Sequence, residues 1–147
     1  MAYHKLLVAV DFSDAAEQVI KCAAQLAKEQ GASIVLLHVV EYLPPMDFAG
    51  DPLVAPMMNI DESVFVERAE QSLQQFVDQH LAGVCLEQRV RVGIPKFEIT
   101  ETIEELAVDL LVIGSHGRHG LARLLGSTAA AVLNECPCDV LAVRIKE

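Results

Sequence analysis

The sequence predicts an α/β fold built on a parallel sheet. Two observations carry this reading: five segments of strand character alternate with segments of helical period from end to end, and no repeat, low-complexity stretch or linker divides the chain. The 147 residues therefore form one domain, residues 1–147.

The elements follow in order. Lys5–Val10 is apolar and strand-like, and Asp11-Phe12-Ser13-Asp14 interrupts it. Ser13 or Asp14 is placed to cap the helix that follows, since a side-chain oxygen there accepts from an unpaired N–H of the first turn. Ala15/Ala16, Val19/Ile20, Ala23 and Leu26/Ala27 then recur with helical spacing, and Gly31 stands where a C-cap is wanted. Ile34–Val40 is the second buried strand. Residues 41–60 hold four prolines (44, 45, 52, 56) without a clean period and read as a long loop.

Asp61–Leu81 is a second amphipathic helix, with its stripe through Val66, Ala69, Leu73, Phe76/Val77 and Leu81. In Leu86–Val92, Glu87, Arg89 and Arg91 alternate with Leu86, Gln88, Val90 and Val92, so one face is charged and an edge position is expected. Gly93-Ile94-Pro95 leads into a short helix near Phe97–Ala107. Leu110–Ile113 is the fourth strand, Ser127–Asn134 the fourth helix and Val140–Ile145 the fifth strand.

Composition narrows the function. With 21 acidic against 11 basic residues the net charge is −10, which repels a polyanion, so nucleic acid is not an expected partner. No apolar run approaches the roughly 20 residues that span a bilayer, and Met1-Ala2-Tyr3-His4-Lys5 does not open a secretory signal. Cysteines at 22, 85, 136 and 138 lack the density of a secreted disulfide scaffold, and a cytoplasmic location is expected, with no membrane partner.

The chemistry concentrates after the fourth strand. Gly114-Ser115-His116-Gly117-Arg118-His119-Gly120-Leu121-Ala122-Arg123-Leu124-Leu125-Gly126-Ser127-Thr128 leads from a buried strand into a helix. Glycine lets backbone approach a ligand closely, and a helix start offers N–H groups to an anion. A single helix N-terminus contributes only about 0.3–1 kcal/mol to anion binding, so several loop N–H groups must act together, with Arg118 and Arg123 adding charge. The alternative reading is a flexible connector with glycines at its turns. The loop is neither a Walker A loop nor the dinucleotide fingerprint, because it lacks Gly-Lys-Ser/Thr and has Gly-x-x-Gly-x-x-Gly spacing after the wrong strand.

Across nearly its whole length the chain resembles the universal stress protein family. The resemblance rests on Lys5-Leu6-Leu7-Val8-Ala9-Val10-Asp11-Phe12-Ser13, Leu36-Leu37-His38-Val39, Val92-Gly93-Ile94-Pro95, Val112-Ile113-Gly114-Ser115-His116-Gly117-Arg118 and Cys136-Pro137-Cys138-Asp139-Val140-Leu141-Ala142-Val143-Arg144. It implies a doubly wound, open, five-stranded parallel sheet of order 3-2-1-4-5 with four helices on its two faces, a Rossmann-like fold of the adenine nucleotide alpha hydrolase type.

The family's nucleotide-binding branch carries Gly-x2-Gly-x9-Gly-Ser/Thr. Here Gly114, Gly117, Gly126 and Ser127 match, but only eight residues separate Gly117 from Gly126. The resemblance implies an ATP or AMP site, with any Mg2+ carried by the nucleotide. In it Asp11 holds ribose hydroxyls, the Val39 backbone reads the adenine edge, and Gly114 lies against the ribose. Gly117, Arg118, Gly126, Ser127 and Thr128 surround the phosphates. It also implies a homodimer through strand Val140–Ile145, whose apolar residues suit an associating edge; an additional protein partner is left unidentified. Two alternatives stand beside a dimeric stress-response binding module: a slow ATPase or self-phosphorylating protein, and a stress-response interaction protein that binds no nucleotide.

Other residues have plainer readings. Asp11 is also placed to cap the first helix, and His38 lies in an apolar run as a core histidine. His116 and His119 lack companion ligands, and Cys136 and Cys138 are spaced too closely for a zinc knuckle, so no metal site is expected; the two cysteines read as packing residues, with a redox role open. Glu98, Glu101, Glu104 and Glu105 read as a solvated helix face. Met46, Met57 and Met58 fall in the long loop. No nucleophile–base set is evident.

Overall fold

The computed structural model describes residues 2–41, 62–115 and 136–145. In chain order these form β1 (Lys5–Ala9), α1 (Ala16–Gln30), β2 (Ser33–Glu41), α2 (Glu62–His80), β3 (Cys85–Gly93), α3 (Pro95–Leu106), β4 (Leu110–Gly114) and β5 (Asp139–Val143). The five strands make one sheet of order β3-β2-β1-β4-β5, and every neighbouring pair is parallel. The expected topology is the observed one. The fourth expected helix, Ser127–Asn134, and residues 42–60 of the expected loop lie outside the described residues, while Glu41 belongs to β2.

Successive side chains of a strand point to opposite faces, and here both faces are covered. Leu6, Val8, Ile34, Leu36, Leu110 and Val112 pack with Val19, Ile20 and Ala23 of α1 and Leu73 of α2. Leu7, Ala9, Val35, Leu37, Leu111 and Ile113 pack on the other side with Ile99 and Ile103 of α3. Burial on both faces is why β1, β2 and β4 read as continuous apolar runs rather than alternating ones.

The helix ends obey local chemistry, with one correction. Gly31 closes α1 at φ +69°, its N–H reaching the Ala27 carbonyl, as expected of a left-handed C-cap. Neither Ser13 nor Asp14 caps the start. The N-cap is Ala15, without a side-chain bond, and the Ala16 N–H donates instead to the Ser13 carbonyl at 3.0 Å. The Ser13 N–H is itself taken by the Asp11 carboxylate, so Ser13 belongs to a turn upstream of the helix rather than to its cap position.

α3 starts two residues earlier than expected, because Pro95 occupies its first turn, where a missing N–H costs nothing. β5 is Asp139–Val143, ending before the expected Ile145. Asp109 ties β1 to the start of β4: its carboxylate accepts the N–H groups of His4 and Lys5 at 2.8 and 3.0 Å.

β3 lies at the sheet edge, as its charged face implies, yet that face is not simply solvated. Arg91 lies 2.7 Å from Glu98 and 3.1 Å from both Glu101 and Glu105, while Arg89 reaches Glu105 at 3.1 Å. Three of the four glutamates read as a solvated helix face are thus ion-paired to the edge strand. Burial pulls the Arg91 guanidinium down, but the carboxylates of Glu98 and Glu101 outweigh it and leave its pKa above the ordinary value.

Candidate functional site

The sequence of winding places the site. From β1 the chain winds outward to β2 and β3, then returns across to β4 and β5, so the direction reverses between β1 and β4. In open parallel sheets ligands bind beyond the carboxyl ends of the strands at such a reversal. Asp11 follows β1 by two residues, Val39 lies two residues before the end of β2, and Gly114 ends β4.

The segment after β1 is shaped by one bond and one unusual dihedral. The Val10 N–H continues the ladder to the Leu37 carbonyl at 2.9 Å, after which Asp11 Oδ1 accepts the Ser13 N–H at 3.0 Å. Phe12 between them sits at φ +63°, a conformation L residues rarely adopt. Its ring is held by neighbours: the His38 ring centroid is 4.2 Å away and that of Phe76 6.1 Å. His38 Nδ1 donates to the Val10 carbonyl at 2.7 Å, which fixes that nitrogen as the protonated one. His38 is the hydrogen-bonded histidine its apolar surroundings suggest, and it also contributes to the wall of a cleft.

That cleft has a volume of about 420 Å³ and opens between the ends of β1 and β2 and the first half of α2. Such a volume falls in the range of roughly 300–1,000 Å³ typical of small-molecule sites. Asp11 and Val39, two of the residues singled out in the sequence, line it together with Phe12, His38, Glu41, Phe65, Arg68 and Ser72. Its walls offer carboxylates (Asp11, Glu41), one guanidinium (Arg68), a hydroxyl (Ser72) and apolar surface from Phe12 and Phe65, while the Val39 side chain is buried on the opposite face of the sheet.

Phe65 and Arg68 are cleft residues that the sequence reading missed. A signal was present: Phe65 lies off the stripe of Val66, Ala69 and Leu73, and it remains 45% exposed although it is a large apolar residue. Arg68, three residues on, shares its side of the helix.

Gly114 does not line this cleft. It sits one strand away, paired with Val143 of β5. Ser115 anchors the chain as it leaves β4: its N–H donates to the Val143 carbonyl at 2.9 Å, and its Oγ accepts the Ile145 N–H at 3.0 Å. Gly117, Arg118, Arg123, Gly126, Ser127 and Thr128, with His116 and His119, lie outside the described residues. Among the described residues no group of three or more His, Cys, Asp or Glu side chains is arranged to hold a metal ion, and no helix is long and apolar enough to cross a membrane.

Comparison with known proteins converges on one family. The model of the universal stress protein family matches residues 2–144. Universal stress protein A homolog 1 of Coxiella burnetii is 36% identical over 148 residues, which cover the whole of both chains. Among solved structures, the hypothetical protein MJ0577 is similar with a TM-score of 0.75 and 27% identity, over 100% of this chain and 99% of that one. A universal stress protein in complex with cAMP is similar with a TM-score of 0.60 and 28% identity, over 98% of each chain.

Proposed function

The chain belongs to the universal stress protein family, and from that premise we propose that it is a stress-response module that binds an adenine nucleotide, ATP or AMP. The observation that carries the proposal is the cleft in which Asp11 and Val39 come together at the carboxyl ends of adjacent strands. The relative solved with cAMP supports the same ligand class.

In this reading the Asp11 carboxylate accepts from ribose hydroxyls, as an acidic residue does in other nucleotide folds. The backbone of Val39 meets the adenine edge, and the apolar cleft wall packs on the base. Gly114, at the end of the neighbouring β4, approaches the ribose. Gly117, Arg118, Gly126, Ser127 and Thr128 supply N–H, hydroxyl and guanidinium groups to the phosphates, with Mg2+ arriving on the nucleotide. The protein works in the cytoplasm as a homodimer joined along residues 140–145. Supporting this, Val140 packs into the core on one face of the sheet, and Leu141, Val143 and Ile145 on the other, while β5 remains an edge strand.

Calorimetric titration with AMP and with ATP plus Mg2+ tests the proposal. Binding is expected for the wild-type chain. Asp11→Ala should weaken it at least about tenfold, the equivalent of 1.4 kcal/mol and at the lower end of a hydrogen bond to a charged group. Gly117→Val should abolish binding. No heat at millimolar nucleotide would overturn the proposal.

A further inference from the structure

Cys136 and Cys138 stand immediately before β5 with Pro137 between them, and their sulfur atoms lie 4.0 Å apart. The chain bends at Pro137 and Cys138 before entering β5, the proline limits the intervening backbone, and the two side chains are brought to the same side of that bend. Both thiols pack against the cluster that contains Val108 and Leu111, yet each is only partly buried. Core packing alone explains one small apolar residue facing that cluster. It does not explain two thiols side by side with access to solvent.

The other two cysteines are placed differently. Cys22 belongs to α1, and Cys85 Sγ donates to the Glu87 carbonyl at the start of β3. Neither has a second sulfur beside it among the described residues.

We propose that Cys136 and Cys138 form a reversible dithiol–disulfide centre that is oxidised by hydroperoxides. In the first step the Cys136 thiolate attacks one peroxide oxygen and the O–O bond breaks. With hydrogen peroxide this gives a Cys136 sulfenic acid, and the departing hydroxide takes up a proton to leave as water. In the second step Cys138 sulfur attacks Cys136 Sγ and the S–O bond breaks. The hydroxide expelled takes up the Cys138 proton and leaves as a second water. Two thiols are oxidised by two electrons and one peroxide is reduced.

The order of attack follows from the surroundings. Burial, and then the neighbouring Cys136 sulfur, push the Cys138 thiol up to about 12, so it keeps its proton at neutral pH and serves as the resolving group. To close the bond the sulfurs must approach from 4.0 Å to the roughly 2.05 Å of a disulfide, a movement within reach of side-chain rotation. An external thiol reductant reverses the reaction by exchange.

The test uses the full chain, fully reduced and then exposed to hydrogen peroxide at neutral pH. Remaining thiols are blocked with N-ethylmaleimide, and the protein is digested with trypsin for mass analysis. Residues 124–144 form one tryptic peptide holding Cys136 and Cys138, while Cys22 and Cys85 fall in two others. The expected result is a 124–144 peptide two hydrogens lighter and unblocked, with Cys22 and Cys85 still blocked. Dithiothreitol should restore both thiols, and Cys136→Ser or Cys138→Ser should remove the lighter species entirely. Blocking at both cysteines after peroxide would overturn the proposal. So would a sulfinic acid without an internal bridge, or a disulfide joining two chains.

Discussion

Phe12 holds the loop after β1 in a conformation that its own backbone resists. A non-glycine residue in the left-handed region costs on the order of 1–3 kcal/mol, and the ring contacts with His38 and Phe76 offset it. Two variants separate these effects. Phe12→Ala keeps the backbone cost and loses the contacts, whereas Phe12→Gly loses the contacts and the cost together. Phe12→Gly is therefore expected to be more stable than Phe12→Ala by about 1 kcal/mol in urea unfolding, and the reverse order would contradict the argument. His38→Leu should cost about 1–2 kcal/mol, because the bond to the Val10 carbonyl is lost along with the ring contact. At this scale the sequence was partly legible. Asp11 was identifiable as a polar residue ending an apolar strand, but its use was not. Capping a helix and forming a turn with Ser13 demand the same residue type, and only the backbone path decides between them.

The elements were more legible than their partners. Gly31 and the apolar stripes placed α1 and α2 because caps and periodicity are local properties, whereas Pro95 moved the start of α3 through a preference that acts only at the first turn. The alternation of Arg89 and Arg91 with apolar residues marked β3 as an edge strand. What alternation cannot show is which helix covers the charged face, since residues 89–91 meet Glu98, Glu101 and Glu105 only through the turn at Gly93. There a Cβ would lie 2.5 Å from Glu98 Oε1, so the turn and the ion pairs depend on the same glycine. Arg91 and Glu98 are each about four-fifths buried, but Glu101 and Glu105 are more than half exposed. A double-mutant cycle on Arg91 and Glu98 should therefore give a coupling on the order of 1 kcal/mol, and one on Arg91 and Glu101 less than half of that. Equal couplings would show that burial does not govern the network.

The whole molecule adds what no single element contains. Order β3-β2-β1-β4-β5 brings residues 11, 39 and 114 to one end of the sheet, although they are far apart in the chain. The alternation of strands and helices made the parallel sheet legible, and the family resemblance supplied the strand order. Arg68 and Phe65 stayed hidden because their role depends on α2 packing beside the ends of β1 and β2, a tertiary fact. Association belongs to this scale too. If β5 joins two copies, sedimentation at micromolar concentration should show a dimer, and Ala142→Glu, a charge on an exposed residue of the edge strand, should shift it toward monomer. A wild-type monomer would remove that part of the proposal. The central claim is that Asp11, Val39 and Gly114 serve one adenine nucleotide, and residue-resolved NMR tests it most directly. On titration of the isotope-labelled protein with AMP, the amide signals of these three residues should move together and saturate at the calorimetric affinity. Unchanged signals at all three, with millimolar AMP present, would contradict the account.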